Sequence, residues 1–148
     1  MKLPGLAFVS LSLLVAPLGA VADTVAFDQT YDNGANSMDI VACSNGLNGL
    51  ITRFGFEKFS DIPRFPLIGA AGAVEGFNST NCGTCWQLTF TNASGAKKTI
   101  DILAIDHAGA GTFNVALAAM NTLTGNQAVQ LGRVNVVSTQ VAASVCGL

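Results

Sequence analysis

Four cysteines, Cys43, Cys82, Cys85 and Cys146, constrain this chain more than any other feature, and two of them share the segment Cys82-Gly83-Thr84-Cys85-Trp86. In a reducing compartment a C-x-x-C pair reads as a redox dithiol or as half of a zinc site. In an oxidising one the two cysteines more often belong to separate structural disulfides. The N-terminus decides between these readings. Lys2 precedes an apolar run from Leu6 to Leu18, and Ala20-Val21-Ala22 supplies a small-x-small cleavage pattern before Asp23. The run is too short for a comfortable membrane span. Residues 1–22 are therefore read as a secretory signal peptide and 23–148 as one ordinary domain.

The cysteines allow three pairings. A Cys82–Cys85 bond would close a very small loop and tie down nothing distant. Cys43–Cys82 with Cys85–Cys146 links the N-terminal third to the middle and the middle to the C-terminus, and it is the favoured arrangement of the three. Each such closure is worth about 4 kcal/mol in the loop-entropy model. A four-cysteine zinc site normally shows two C-x-x-C knuckles and this chain has one. A thioredoxin-like role lacks a charged neighbour to tune a thiolate. No metal and no cofactor is implied.

Nine acidic against seven basic side chains, with Lys97-Lys98 as a lone basic pair, exclude the electrostatics of a nucleic-acid binder. Charged residues make up only 11% of the chain, so the surface is polar but largely uncharged. Such a surface suits neutral, hydroxyl-rich partners such as glycans, and equally suits a merely soluble extracellular domain.

Hydrophobic periodicity reads as short strands with minor helices. Cys85 to Thr91 alternates, Asn92-Ala93-Ser94-Gly95 is a turn, and Thr99 to Asp106 returns as the partner of a hairpin. Asp23 to Phe27, Met38 to Ala42 and Arg133 to Val141 are further strand candidates. Helical turns are expected within Gly46 to Phe54, over Val115 to Leu123 ending at Gly125, and over Gln127 to Leu131 ending at Gly132. Pro63 and Pro66 make the segment around them a loop. The sum is a β-barrel-like α+β domain.

Asp106 ends a strand and opens the glycine-rich Asp106-His107-Ala108-Gly109-Ala110-Gly111 loop, a common place for binding or catalysis. It equally suits a turn-capping carboxylate. His107 is the single histidine, and no G-x-S-x-G elbow accompanies it, which argues against a serine hydrolase. Glycoside hydrolysis needs a second carboxyl. Asp101 is five positions away on the same strand and so faces the other side, while Asp28, Asp32, Asp39 and Asp61 stand in no second motif. No catalytic residue is assigned, Asp106 being the one acid available to an enzymatic mechanism. If Asp106 is functional, a groove carboxylate supports little packing and Asp106→Asn should cost little stability; a large loss would mark a structural cap.

Six motifs in order, Val41-Ala42-Cys43-Ser44-Asn45-Gly46, Asn48-Gly49-Leu50, Ile62-Pro63-Arg64-Phe65-Pro66-Leu67-Ile68-Gly69, Cys82-Gly83-Thr84-Cys85-Trp86, Ile105-Asp106-His107-Ala108-Gly109 and Leu131-Gly132-Arg133-Val134, resemble the cerato-platanins, small secreted proteins of filamentous fungi. The likeness spans essentially all of 23–148. It implies a six-stranded double-psi β-barrel with short peripheral helices, similar to the first domain of expansins, and disulfides joining the first cysteine to the second and the third to the fourth. It also implies a secreted or cell-wall protein that binds chitin-derived N-acetylglucosamine oligomers without ordinary hydrolysis. Roles as an elicitor or effector acting on plant or host immune components, cellulose or chitin loosening, and self-assembly at interfaces come with it. Asp106 falls on the family's single carboxylate, in the place of the endoglucanase acid. Asp106, Asn45, Arg53 and Tyr31 are taken as the carbohydrate-binding set. The chain departs from the family pattern at Phe56, Phe77 and Gly69-Ala70, where Phe keeps apolar area but lacks an indole N–H. Asn78-Ser79-Thr80 and Asn92-Ala93-Ser94 are glycosylation sequons.

Overall fold

The computed structural model describes residues 22–148; the expected signal peptide lies, except for Ala22, outside the described residues. Six strands, β1 (Asp23–Phe27), β2 (Ile68–Ala71), β3 (Cys85–Thr91), β4 (Lys97–His107), β5 (Thr112–Val115) and β6 (Arg133–Val141), close into a barrel in the order β1-β5-β2-β4-β3-β6. Pairing is mixed. β1 runs parallel to β5 and β2 parallel to β4, whereas β1–β6, β2–β5, β3–β4 and β3–β6 are antiparallel. Closure leaves none of the six with a free edge. Three helices, α1 (Leu50–Phe54), α2 (Leu117–Thr124) and α3 (Ala128–Leu131), lie at the periphery with short 3₁₀ turns. None is long and apolar enough to cross a membrane.

The β3–β4 hairpin follows from alternation. Leu88 is buried with Trp86 and Phe90 packed partly against the core on the same face, Thr91 is exposed on the other, and Asn92 closes the turn by accepting from the Ser94 and Ala96 amides through Oδ1. Helix α2 buries Met120 and Leu123 and stops at Gly125, whose φ of 68° is the left-handed conformation that glycine adopts without strain. The core is aliphatic, with Val25, Leu88, Ile102, Leu103, Ile105, Val115 and Met120 at or near zero exposure. Cys43–Cys82 and Cys85–Cys146 are both closed, as the favoured pairing requires.

Two sequence expectations give way here. Met38 to Ala42 is no strand: Met38–Ile40 is a 3₁₀ turn. Ser37 Oγ accepts from the Asp39 amide and Ile40 is 58% exposed, so local capping overrides a false alternation. Counting strand parity from Asp101 to Asp106 also fails as an argument, because the β2–β4 register slips by one residue opposite Gly69 and Ala70. Contacts separate the two acids instead. Asp101 faces Gln87 and Arg64, and it shares no hydrogen-bond partner with Asp106.

Candidate functional site

Asp106 stands at the end of β4 with both carboxylate oxygens engaged. Oδ1 accepts from the Ala42 amide at 2.9 Å and from the His107 amide at 2.8 Å, and Oδ2 accepts from the Tyr31 hydroxyl at 2.9 Å. A carboxylate offers about four lone-pair sites, so three are filled from within the chain. The residue therefore braces the Tyr31 turn and the segment ending at Ala42 against the barrel. Tyr31 is 5% exposed and packs on Phe59. Burial, and next the negative charge of Asp106, push its phenol far above the ordinary value of 10.0. His107 is also occupied: Nδ1 lies 2.6 Å from the Val74 carbonyl, to which it donates.

The segment that Asp106 anchors forms one wall of an open cleft of about 530 Å³. Ser37, Asp39, Asn45, Ile51, Glu57 and Lys58 line it. Asp39 Oδ1 accepts from Asn45 Nδ2 at 3.1 Å, which orients both side chains at the rim. The cleft therefore mixes acceptors, an amide and one ammonium around a small apolar patch. Three of the aspartates weighed as partners for Asp106 are taken up by backbone amides. Asp28 caps the Tyr31 turn through the Thr30 amide, Asp32 accepts from the Leu117 and Ala118 amides at the start of α2, and Asp61 accepts from the Glu57 and Lys58 amides.

The sequence-derived set is thus divided. Tyr31 and Asp106 meet, and Asn45 lines the cleft beside Asp39. Arg53 turns elsewhere: its guanidinium donates to the Cys82 carbonyl at 3.0 Å and lies over the Phe54 ring. Ser37, Asp39, Glu57 and Lys58 were missed as lining residues. Their signal is local, a Ser-x-Asp turn whose side chains lie near Asn45, and spacing alone does not reveal that the two segments meet. Among the described residues no cluster of three or more His, Cys, Asp or Glu is placed to hold a metal ion.

Of the two sequons, Asn92 is exposed at the hairpin tip, its Oδ1 taking the Ser94 hydroxyl at 2.7 Å. Asn78 is half-buried with φ of 59°, and its side chain accepts from the Asn48 amide at 2.9 Å.

A family model for cerato-platanin matches residues 23–148. The chain belongs to the cerato-platanin family. It is 36% identical over 136 residues to cerato-platanin of Ceratocystis fimbriata f. sp. platani, covering 91% of this chain and 94% of that protein. A protein described as an Allergen Asp f 15 homolog from Arthroderma benhamiae is 46% identical over 139 residues, covering 94% of this chain. The alignment takes in 64% of that relative's length. The crystal structure of cerato-platanin 2 from M. perniciosa superposes with a TM-score of 0.79 at 52% identity, covering 86% of this chain and all of that one. The two closed disulfides of this cerato-platanin fit an oxidising, extracellular setting.

Proposed function

We propose that this cerato-platanin is a secreted, non-hydrolytic glycan-binding protein that takes N-acetylglucosamine oligomers in the Asp39 cleft, outside the cell or at the fungal wall. The observation that carries the reading is the cleft itself: open, polar, with Asp39 and Asn45 held in register beside Ser37 and Glu57. Hydroxyls and acetamido groups need such a mixture of acceptors and donors, and an open site accommodates a chain rather than a lone ring. The 530 Å³ volume is within the range of about 300–1,000 Å³ usual for ligand sites. Asp106 acts behind the site as a positioning residue. Recognition by host defences, as elicitor or effector, would follow from exposure outside the cell, and a relative described as an allergen homolog is compatible with it.

The alternative is an expansin-like protein that loosens cellulose or chitin with Asp106 as a lone general acid or base. Three internal donors on Asp106 argue against it, since a general acid must carry a proton and reach the scissile oxygen. An NMR titration of the domain spanning 23–148 with chitin oligomers, with chain length checked afterwards in the same samples, tests the reading. Amide shifts at Ser37, Asp39, Asn45, Glu57 and Lys58 with oligomers intact are expected. Shortened oligomers would promote the lytic alternative, and no shifts at these residues would overturn the proposal.

A further inference from the structure

At one end of the barrel β1, β3 and β5 begin while β2 and β4 finish, as the strand registers require. That mouth contains a second cavity of about 250 Å³, away from the Asp39 cleft and sharing no lining residue with it. Asp23, Gly72, Trp86, Ala110, Gly111 and Thr112 contribute to its wall. Trp86 is the single tryptophan of the chain. Its ring is only half-buried and tilts at 59° against Phe113, with centroids 5.6 Å apart. The indole N–H donates to Thr84 Oγ1 at 2.9 Å, and that hydroxyl donates onward to the Asn81 carbonyl at 2.7 Å. The polar edge of the indole is thus satisfied and its plane held, which leaves an aromatic face as what Trp86 can offer to a visitor.

Asp23 lines the same cavity, its carboxylate already accepting from the Ser138 hydroxyl. Gly72 and Gly111 add to the wall, and the approach is close: a Cβ on Gly72 would meet the Gly109 carbonyl at 2.6 Å and the Gly111 amide at 3.0 Å. An oriented aromatic plane and one carboxylate around a small volume match a pyranose ring. Such a ring stacks through its apolar C–H face and donates hydroxyls around its rim. A planar aromatic ligand would use the ring but bring no further donor to the carboxylate, and the Asp23 charge disfavours an anion. Barrel mouths are a preferred place for such sites.

We infer that the barrel mouth is a second saccharide subsite, with Trp86 as the stacking platform and Asp23 as hydroxyl acceptor, taking one neutral pyranose unit. At 250 Å³ it holds a single ring and not a stretch of oligomer.

Because Trp86 is the chain's single tryptophan, its emission reports this cavity without labelling. Titrating the 23–148 domain with N-acetylglucosamine and glucose oligosaccharides is expected to change that emission saturably. Asp23→Asn should raise the apparent Kd about tenfold, the effect of one charge-assisted hydrogen bond. Ala110→Phe, at an exposed loop position, should fill the mouth and abolish the change while the Asp39 cleft still binds. Asp39→Ala should leave the Trp86 response intact, so failure of the cleft and failure of the mouth are read separately. An emission unmoved by saturating saccharide, or one that survives Ala110→Phe, would overturn the inference. A response abolished by Asp39→Ala would do the same.

Discussion

The Asp106 carboxylate takes hydrogen bonds from the Ala42 and His107 amides and from the Tyr31 hydroxyl. Its position at a strand end beside glycines suits binding and capping alike, and three internal hydrogen bonds make it a brace. The mild effect expected of Asp106→Asn is therefore revised. An asparagine can keep its oxygen on the two amides and donate to the Tyr31 hydroxyl, so the loss is one of charge assistance, about 1–2 kcal/mol. Asp106→Ala strands the Ala42 and His107 amides and the phenol together, and should cost about 3 kcal/mol, or roughly 10 °C in Tm by calorimetry. Tyr31 gives a pH signature. Its folded pKa is raised, so its contribution to stability is complete below the unfolded pKa of about 10 and is lost as pH rises above it. Tyr31 is the single tyrosine, so tyrosinate absorbance in the native protein should stay low above pH 10 and rise only with unfolding. Denaturant midpoints should fall over the same range. Tyr31→Phe should remove its share of that fall, and a native phenol titrating normally would contradict the assignment.

At the scale of elements, the strands with strong alternation were legible. Asp23–Phe27, Cys85–Thr91 and Arg133–Val141 lie where the periodicity places them, and Gly125 and Gly132 end their helices. What stayed hidden is instructive. β2 reads Ile68-Gly69-Ala70-Ala71 and is buried throughout between β4 and β5, so it has no polar face to alternate. Its small residues answer a tertiary demand, since a Cβ on Gly69 would meet the Asn114 carbonyl at 2.4 Å. β5 has only four residues directly after a glycine-rich loop, too short for a period to register. The candidate site was legible as single residues, Asp106 and Asn45, and illegible as a cleft, because its wall joins a turn at 37–39 to the separate segment 57–58. Helix α2 carries a related lesson. Its N-cap position is Ala116, which has no side-chain oxygen, and Asp32 caps the helix from 85 residues away in sequence. Asp32→Ala should therefore destabilise by about 1–2 kcal/mol, as loss of a helix cap does. Chemical denaturation checks this, and an unchanged midpoint would show the contact to be incidental.

For the whole molecule, closure and cross-linking act together. The barrel pairs its first strand with its last, and the disulfides span 39 and 61 residues. In the loop-entropy model each is worth about 4 kcal/mol. Cys43–Cys82 ties the segment after the cleft-wall turn to the loop before β3, while Cys85–Cys146 secures the C-terminal turn against β3. Paired Cys85→Ser and Cys146→Ser replacements should lower stability by about 2–5 kcal/mol, measured by denaturant unfolding against the intact protein. A loss below 1 kcal/mol would mean that β3–β6 pairing alone holds the C-terminus. The closed frame presents the Asp39 cleft, for which glycan binding is proposed, with Asp106 bracing its wall.

The most direct test is a calorimetric binding isotherm for an N-acetylglucosamine tetramer, comparing unaltered protein with Asp39→Ala at a temperature where both are folded. Measurable affinity is expected, falling about tenfold in the variant, as removal of one charged hydrogen-bond acceptor should cause. Equal affinity in the two proteins, or none in either, would contradict glycan binding in the Asp39 cleft.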